Sequence, residues 1–244
     1  APMSPVRLKA ITVTDEMKRA TRGNAIVCSI APDEDVAVLA GGHAADEVLW
    51  KNNITGYWCS SSYYGLYPSW AADKNKEVHG RSSKWEPLLE VEKYNNFGEE
   101  APDAFSYSFN GLKNIREYKT TACVNDEINE MAKAYLKSSL AGQDDIADCL
   151  SLTYYAGNYN GQSMEERPIE IQDMYVRLDR NIADLLNYVD RRIGLENVVV
   201  SIASTGYVIE NSEDGAKYRL PSGTIYMDRI EGLLNVYLGA QFGK

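Results

Sequence analysis

Short apolar runs that alternate with helical segments constrain the fold of this chain more than any other feature of its sequence. Residues 25–30, 146–153 and 198–203 each have the length and the apolar or β-branched composition of a buried strand. Amphipathic segments lie between these runs. Buried strands that alternate with helices are typical of a parallel sheet covered by helices. The sequence therefore predicts an α/β fold with a mostly parallel sheet.

Four segments carry helix signals. Residues 5–22 follow a serine that can cap a helix, open with a proline, and are followed by a glycine. Residues 124–140 and 169–193 have apolar side chains at three- and four-residue spacing. A last helix is expected to begin near Asp228. The alternation of helix and strand is therefore repeated at least three times, and we expect residues 1–244 to form a single domain.

The regular alternation fails between about residues 52 and 110, which are rich in Ser, Asn, Gly and aromatic residues. This stretch is predicted to be an irregular excursion from the sheet. An aromatic cluster within it could stack on sugars or bases, although such loops more often pack on their own domain. The cluster consists of Tyr57, Trp58, Tyr63, Tyr64, Tyr67 and Trp70.

Charge and hydropathy argue against two classes of partner. The net charge is -10, from 25 Lys and Arg against 35 Asp and Glu, and no basic cluster offsets it. A nucleic-acid backbone would be repelled. No run approaches the ~20 apolar residues of a membrane helix, so we expect neither nucleic-acid binding nor membrane insertion.

The supply of soft metal ligands is small. The chain has two histidines, His43 and His79, and four widely spaced cysteines without a Cys-x-x-Cys pair. Cys28 and Cys149 lie in apolar runs and are interpreted as small core residues, while one disulfide stays open if the protein is exported. We interpret His43 as a structural histidine in a glycine-rich turn; the alternative is a base that approaches Ser204.

The carboxyl ends of the predicted strands are the places to look for a site, because ligands of parallel α/β sheets bind there. Residues 154–161 follow one predicted strand and are rich in Tyr, Asn and Gly. Ser204, Thr205 and Gly206 follow another.

Motifs along the whole chain resemble the middle of the alkaline phosphatase superfamily, in the secreted type common in Bacteroidetes and related to nucleotide pyrophosphatases and phosphodiesterases. This resemblance implies an alkaline-phosphatase-like fold that is incomplete in this chain, and a periplasmic or cell-surface location. The family's upstream metal-binding Asp, its Thr or Ser nucleophile and its late metal-binding His lie outside these residues. The matching motifs, in family order, are residues 3–5 with 14–17, residues 39–43 with Trp50, residues 61–64 with Pro68 and Trp70, residues 175–179, and residues 233–244.

The chain departs from the family at the metal ligands. The family usually has Asp-Tyr-x-Gly-His after one strand and Asp-His-Gly after another. Here Tyr154 and Asn158 stand at the first pair of ligand positions, and Ser204 and Thr205 at the second, while the glycines are retained. Hydroxyl and amide groups are weak zinc ligands. The resemblance therefore implies a degenerate metal site, with no metal, no cofactor and no catalytic residue.

The phosphate-binding positions also differ. Related phosphatases place a Lys and an Arg two residues apart ahead of the Gly-His segment, and alignment to Gly42 and His43 puts Asp33 and Asp35 there. Like charges a few ångströms apart repel by about 1–4 kcal/mol in wet surroundings, so a phosphate dianion would be disfavoured. Carboxylates of residues 33–35 could instead hold calcium or magnesium, although a solvated acidic turn is the favoured interpretation.

Together these features predict a catalytically degenerate alkaline-phosphatase-like protein, a pseudoenzyme with a binding or assembly role in the cell envelope. Its expected partner is another protein or a glycan held by the aromatic cluster. Association with the missing parts of the fold is a further expectation. The alternative is a fragment of an active metal-dependent phosphomonoesterase or phosphodiesterase, in which zinc is bound by ligands from elsewhere.

Overall fold

A computed structural model of the chain describes residues 4–78, 82–94, 104–110, 113–162, 166–204 and 226–243. The chain divides into two compact units, Ala1–Val198 and Val199–Lys244. All strands of the described residues belong to the first unit. They are β1 (Val27–Ala31), β2 (Glu47–Lys51), β3 (Trp58–Cys59), β4 (Ser82–Trp85), β5 (Tyr107–Asn110) and β6 (Cys149–Leu152).

Along the chain, the helices of the first unit lie before, between and after its strands. They are α1 (Val13–Ala20), α2 (Glu34–Gly41), α3 (Ser69–Val78), α4 (Ile115–Tyr118), α5 (Ala122–Ser138) and α6 (Pro168–Arg192). The second unit contains α7 (Met227–Phe242). No helix of the described residues is long and apolar enough to cross a membrane.

The main sheet has four strands in the order β3-β2-β1-β6. β1 pairs in parallel with both β2 and β6, so that Ser29 lies opposite Val48 on one side and Ser151 on the other. β3 is a short antiparallel strand at the edge. The predicted α/β class with a mostly parallel sheet is therefore confirmed.

Both faces of the sheet are covered, as the continuous apolar sequence of β1 requires. Cys28 and Ile30 point to the face covered by α5, whose inner side chains include Ile128 and Met131. Val27 points to the opposite face, where α2 packs. Burial of each large aliphatic side chain contributes about 1.5–3 kcal/mol, so the sandwich of α5, sheet and α2 is the core of this unit.

The first helix is shorter than its signals predict. The sequence predicts a helix over residues 5–22, whereas the structure has a single 3-10 turn at Pro5–Arg7 and then α1. Thr12 accepts a hydrogen bond from the Asp15 N–H, and Asp15 accepts one from the Thr12 N–H. This capping box fixes the start of α1 and stops the helix from extending backwards.

Three other helices agree with the sequence. Helices predicted over residues 124–140 and 169–193 are α5 and α6, with ends shifted by at most two residues. The helix predicted near Asp228 is α7.

The strand predicted at residues 198–203 is absent, and this prediction is wrong for the described structure. These residues belong to no strand, and Val199 and Ile202 are 97% and 76% exposed. A β-branched run favours extended backbone, but a strand also requires a neighbour that completes its ladder. Among the described residues, none supplies that ladder.

The excursion between residues 52 and 110 has its own structure. It contains β3, α3 and a separate antiparallel pair of β4 and β5, in which Trp85 lies opposite Tyr107. All four cysteines of the chain are free thiols, so the disulfide that the sequence left open is not formed.

Candidate site at the carboxyl edge of the sheet

The parallel strands β1, β2 and β6 end at the same edge of the sheet. Asp33 follows β1 after a buried proline, Asn52 follows β2, and Tyr154 and Tyr155 follow β6. Helix α5 lies behind this edge, because the N–H of Tyr155 donates to the side chain of Asn125. This is the edge at which the sequence predicts the degenerate site.

Tyr154 anchors the loop after β6 to two helices. Its hydroxyl donates to Asn129 Oδ1 over 2.8 Å, and Asn129 is only 3% exposed. The Asn129 amide in turn donates to Asp184 of α6 over 2.9 Å, and Lys133 pairs with the same carboxylate. Burial, aided by the charge of Asp184, raises the pKa of Tyr154 far above its usual range. The phenol therefore stays neutral and protonated.

Asn125 holds the backbone of the same loop. Its side chain is fully buried; its Oδ1 accepts from the Tyr155 N–H over 2.8 Å, and its Nδ2 donates to the Tyr155 carbonyl over 2.7 Å. The Tyr155 hydroxyl donates to the carbonyl of Asn158 over 2.6 Å. Asn158 itself is exposed. The loop is thus shaped by contacts with α5 and by its own tyrosine.

These residues do not fit a zinc ion. Zinc prefers thiolate, imidazole or carboxylate donors in tetrahedral geometry, and the Tyr154 oxygen is the donor of a hydrogen bond rather than a free anion. Throughout the described ranges, no three His, Cys, Asp or Glu side chains come close enough to hold a metal ion. Of the second pair of ligand positions, Ser204 lies in the second unit, and Thr205 lies outside the described residues.

The two aspartates at the phosphate-binding positions have different surroundings. Asp33 Oδ1 lies 2.9 Å from Lys119 Nζ, and the Lys119 side chain is 4% exposed. Asp35 is exposed in the first turn of α2, where the helix dipole stabilises a carboxylate. Burial lowers the pKa of Lys119, and the bond to Asp33 only partly offsets this. Lys119 is not among the residues predicted from the sequence, because nothing in its local pattern indicates a partner 86 residues away.

An ion pair in which both side chains are buried lies at the end of β2. Lys51 Nζ is 2.7 Å from Glu127 Oε2, and Glu127 Oε1 accepts from the Tyr118 hydroxyl over 2.7 Å. The ammonium also lies 5.7 Å from the Trp58 ring and 5.3 Å from the Tyr118 ring. Its charge is therefore already matched inside the protein. The signal in the sequence that could have indicated this pair is a lysine that directly continues the apolar run of β2.

His43 has a full set of partners. Its Nδ1 lies 2.9 Å from Asp15 Oδ2, and its Nε2 lies 3.0 Å from the Leu8 carbonyl oxygen. Asp15 also accepts from the backbone N–H groups of His43 and Ala44. The bond to Asp15 raises the pKa of His43, against the opposing effect of burial. These contacts link the N-terminal segment and α1 to the turn after α2, which is a structural role.

The aromatic cluster does not form one platform. Trp58 is 1% exposed and belongs to the core, so it cannot stack on a ligand. Trp70 donates to Glu47 over 3.0 Å and packs on the core. Tyr63 and Tyr64 contact each other edge to face at 5.1 Å, and the Tyr64 hydroxyl donates to a carbonyl in the turn after α2. The six rings therefore cannot all contact one ligand, and Trp58 and Trp70 pack on their own domain.

Two of the six rings share an open groove. Tyr57 and Tyr67 line a space of about 480 Å³ together with Ala72, Asn75 and Lys76. The Tyr67 hydroxyl donates to the Trp58 carbonyl over 2.7 Å and accepts from Asn75 Nδ2 over 3.0 Å. Tyr67 is thus a fixed wall of this groove.

Comparison with known proteins agrees with this architecture. The chain is 26% identical to the alkaline phosphatase PafA of Elizabethkingia meningoseptica, with 98% of the chain and 47% of that protein aligned. It is 30% identical to the alkaline phosphatase PhoV of Synechococcus elongatus, over 83% of the chain and 40% of that protein. A protein of Myroides odoratus named calcium-transporting ATPase is 30% identical over 98% of the chain and 47% of its own length.

The fold is matched by a solved structure. The crystal structure of wild-type PafA superposes with a TM-score of 0.62 at 24% identity, and the match covers 96% of this chain and 48% of that one. The chain thus spans about half the length of the relatives it matches. The sequence profile of the type I phosphodiesterase / nucleotide pyrophosphatase family matches residues 29–233. The chain therefore belongs to the type I phosphodiesterase / nucleotide pyrophosphatase family, within the alkaline phosphatase superfamily, as its motifs predict.

Proposed function

We propose that this chain is a catalytically degenerate member of its family, with a binding or assembly role in place of phosphoester hydrolysis. One observation carries the proposal. At the first ligand position after β6, where the family usually has a zinc-binding aspartate, a neutral tyrosine donates a hydrogen bond to Asn129. Asn158, at the second position, offers only an amide.

The charges around the carboxyl edge support the same proposal. Lys51 and Lys119 are cations that could attract a phosphate, yet each is buried and paired with a carboxylate of this chain. An incoming dianion would have to displace Glu127 or Asp33, and it would meet their repulsion. Anion binding at this edge is therefore disfavoured together with zinc binding.

The competing proposal is an active metal-dependent phosphomonoesterase or phosphodiesterase whose zinc ligands come from other parts of the protein. It is supported by the relatives named alkaline phosphatases. Elemental analysis of the full-length protein, purified without chelator, separates the two, together with phosphatase and phosphodiesterase assays in added zinc. We expect metal-free and inactive protein. Stoichiometric zinc with turnover would refute the degenerate proposal.

We further propose that the protein acts outside the cytoplasm, in the cell envelope, because the family that it resembles is exported. Its partner would be a glycan or a protein that contacts the groove between Tyr57 and Tyr67. Sugar rings stack on fixed aromatic faces, and hydrogen bonds hold Tyr67 in place.

Calorimetric titration with soluble oligosaccharides of the host envelope tests the glycan assignment. We expect the wild-type protein to bind, and Tyr57→Ala to weaken this binding. The matched substitution Tyr63→Ala, at an exposed ring outside the groove residues, should leave the binding unchanged. Equal binding by wild type, Tyr57→Ala and Tyr63→Ala would show that the groove is not the binding site. No binding by wild type would favour a protein partner.

A further inference from the structure

We infer that the loop after β6, with Tyr154 at its first ligand position, has become a support of the fold, so that restoring the family's zinc donors in this loop does not restore a zinc site. This inference rests on the proposed function, since it says what has replaced the metal site. It differs from simple loss of ligands, in which the surrounding scaffold would still accept zinc.

The first support is the hydrogen-bonded series that begins at Tyr154. The phenol reaches Asn129 of α5, Asn129 reaches Asp184 of α6, and Lys133 neutralises that carboxylate. Asn129 uses both its oxygen and its nitrogen in this series and is nearly fully buried. The loop after β6 is thereby tied to α5 directly and to α6 through Asn129.

An aspartate at position 154 would break this series. Its carboxylate ends well short of the position of the phenol oxygen, so Asn129 Oδ1 would lose its donor inside the protein, which is unfavourable. Loss of this contact would loosen the attachment of the loop to α5, whereas a zinc ligand has to be held in position by its surroundings.

The second support fixes the loop itself. Asn125 pairs with both backbone groups of Tyr155, and the Tyr155 hydroxyl closes the loop on the carbonyl of Asn158. Because the Asn158 side chain is exposed, a histidine side chain at this position would extend into solvent. Zinc affinity depends on ligands that neighbouring groups hold in position. The contacts of this loop hold it in an arrangement that does not place ligands around a zinc ion.

The decisive experiment measures zinc binding by the full-length protein carrying Tyr154→Asp and Asn158→His, in competition with a chromogenic chelator. We expect zinc affinity no higher than that of wild type. A double variant that binds one zinc tightly, beside a zinc-free wild type, would overturn this inference and leave the proposed function standing. Zinc-loaded, active wild type would refute the proposed function itself.

A milder variant keeps the inference testable if the double variant does not fold. Tyr154→Phe removes only the hydroxyl, and we expect it to lower Tm by roughly 4 °C or more, because Asn129 is left unsatisfied. Tyr155→Phe is the matched control, since its hydroxyl bonds a backbone carbonyl at the surface, and its shift should be smaller. Equal Tm values for Tyr154→Phe and wild type would overturn the supporting role of Tyr154.

Discussion

The ammonium group of Lys51 lies 2.7 Å from the carboxylate of Glu127, and the two side chains are 1% and 7% exposed. This pair joins the end of β2 to α5 beneath the carboxyl edge of the sheet. Because both charges have left water, each depends on the other for compensation.

Lys51→Met is therefore expected to destabilise the protein by about 3–5 kcal/mol, since it leaves the Glu127 carboxylate buried and uncompensated. Urea unfolding followed by circular dichroism measures this loss. The double variant Lys51→Met with Glu127→Leu should recover much of the stability, because it removes both charges.

Lys76→Met is the matched control, because Lys76 pairs with Asp73 at the surface, where the two side chains are 77% and 67% exposed. We expect that substitution to change stability by at most about 1 kcal/mol. An equally small effect of Lys51→Met would show that the buried pair contributes little.

The stability of the protein is expected to depend on pH through His43 and Asp15. The bond to Asp15 raises the pKa of His43 in the folded state, so its contribution is complete below the ordinary histidine pKa and is lost as pH rises through the raised value. Burial opposes ionisation of Asp15, but the hydrogen bonds from His43, Thr12 and Ala44 outweigh it and hold the pKa of Asp15 well below its usual range. The contribution of Asp15 is thus present above the ordinary aspartate pKa and is lost as pH falls through the lowered one.

Thermal unfolding across this range measures the effect. We expect the contribution of the pair to be greatest between the ordinary pKa values of aspartate and histidine. In His43→Gln the decrease on the alkaline side should shrink, because no imidazole titrates at this position. If the pH profile of His43→Gln coincides with that of wild type, the decrease has another source.

The sequence predicts the parts of this structure that depend on local signals. Periodicity locates α5 and α6, and the apolar runs locate β1 and β6, because each element buries one stripe or both faces. Contacts between residues that are far apart in the sequence cannot be predicted from these local signals. The contact of Lys119 with Asp33 joins residues 86 apart, and residues 198–203 carry strand propensity without a described partner.

At the candidate site, the sequence predicts which ligand positions are substituted but not what the substitutes do. The hydroxyl of Tyr154 finds Asn129 only after β6 and α5 have packed together. The same holds for the aromatic cluster, where Trp58 of β3 is buried in the core and Tyr57, directly before β3, is only half-buried. Neighbours in sequence therefore face different surroundings.

Asp173 is expected to be the main attachment of the β4–β5 excursion to α6. Its fully buried carboxylate accepts hydrogen bonds from four donors, at 2.6 Å from Trp85 Nε1, 2.7 Å from the Leu88 N–H, 2.7 Å from the Tyr94 hydroxyl and 2.8 Å from Arg177 Nε. Asp173→Asn would place an amide donor against these donors and remove the charge that pairs with Arg177. We expect a loss of about 2–4 kcal/mol.

Limited proteolysis shows which part of the protein opens when the contacts of Asp173 are lost. Cleavage in the region of residues 82–110 should become faster in Asp173→Asn than in wild type, because local opening exposes the excursion. Asp179→Asn, at an exposed position of the same helix, should leave the cleavage pattern unchanged. Unchanged cleavage in Asp173→Asn would mean that other contacts hold the excursion.

Gly42 is expected to tolerate no side chain, for two separate reasons. Its φ is 72°, in the left-handed region that favours glycine. A Cβ atom there would also overlap the hydroxyl of Thr12 and lie 2.8 Å from Asp15 Oδ1, which would push apart the capping box of α1. Gly23 also has a positive φ, of 86°, but nothing lies within 4 Å of its added Cβ. We expect Gly23→Ala to cost about 1–2 kcal/mol from backbone strain alone, and Gly42→Ala to cost clearly more in the same urea titration. If the two variants lose equal stability, the packing of Gly42 against Thr12 and Asp15 adds nothing to the strain.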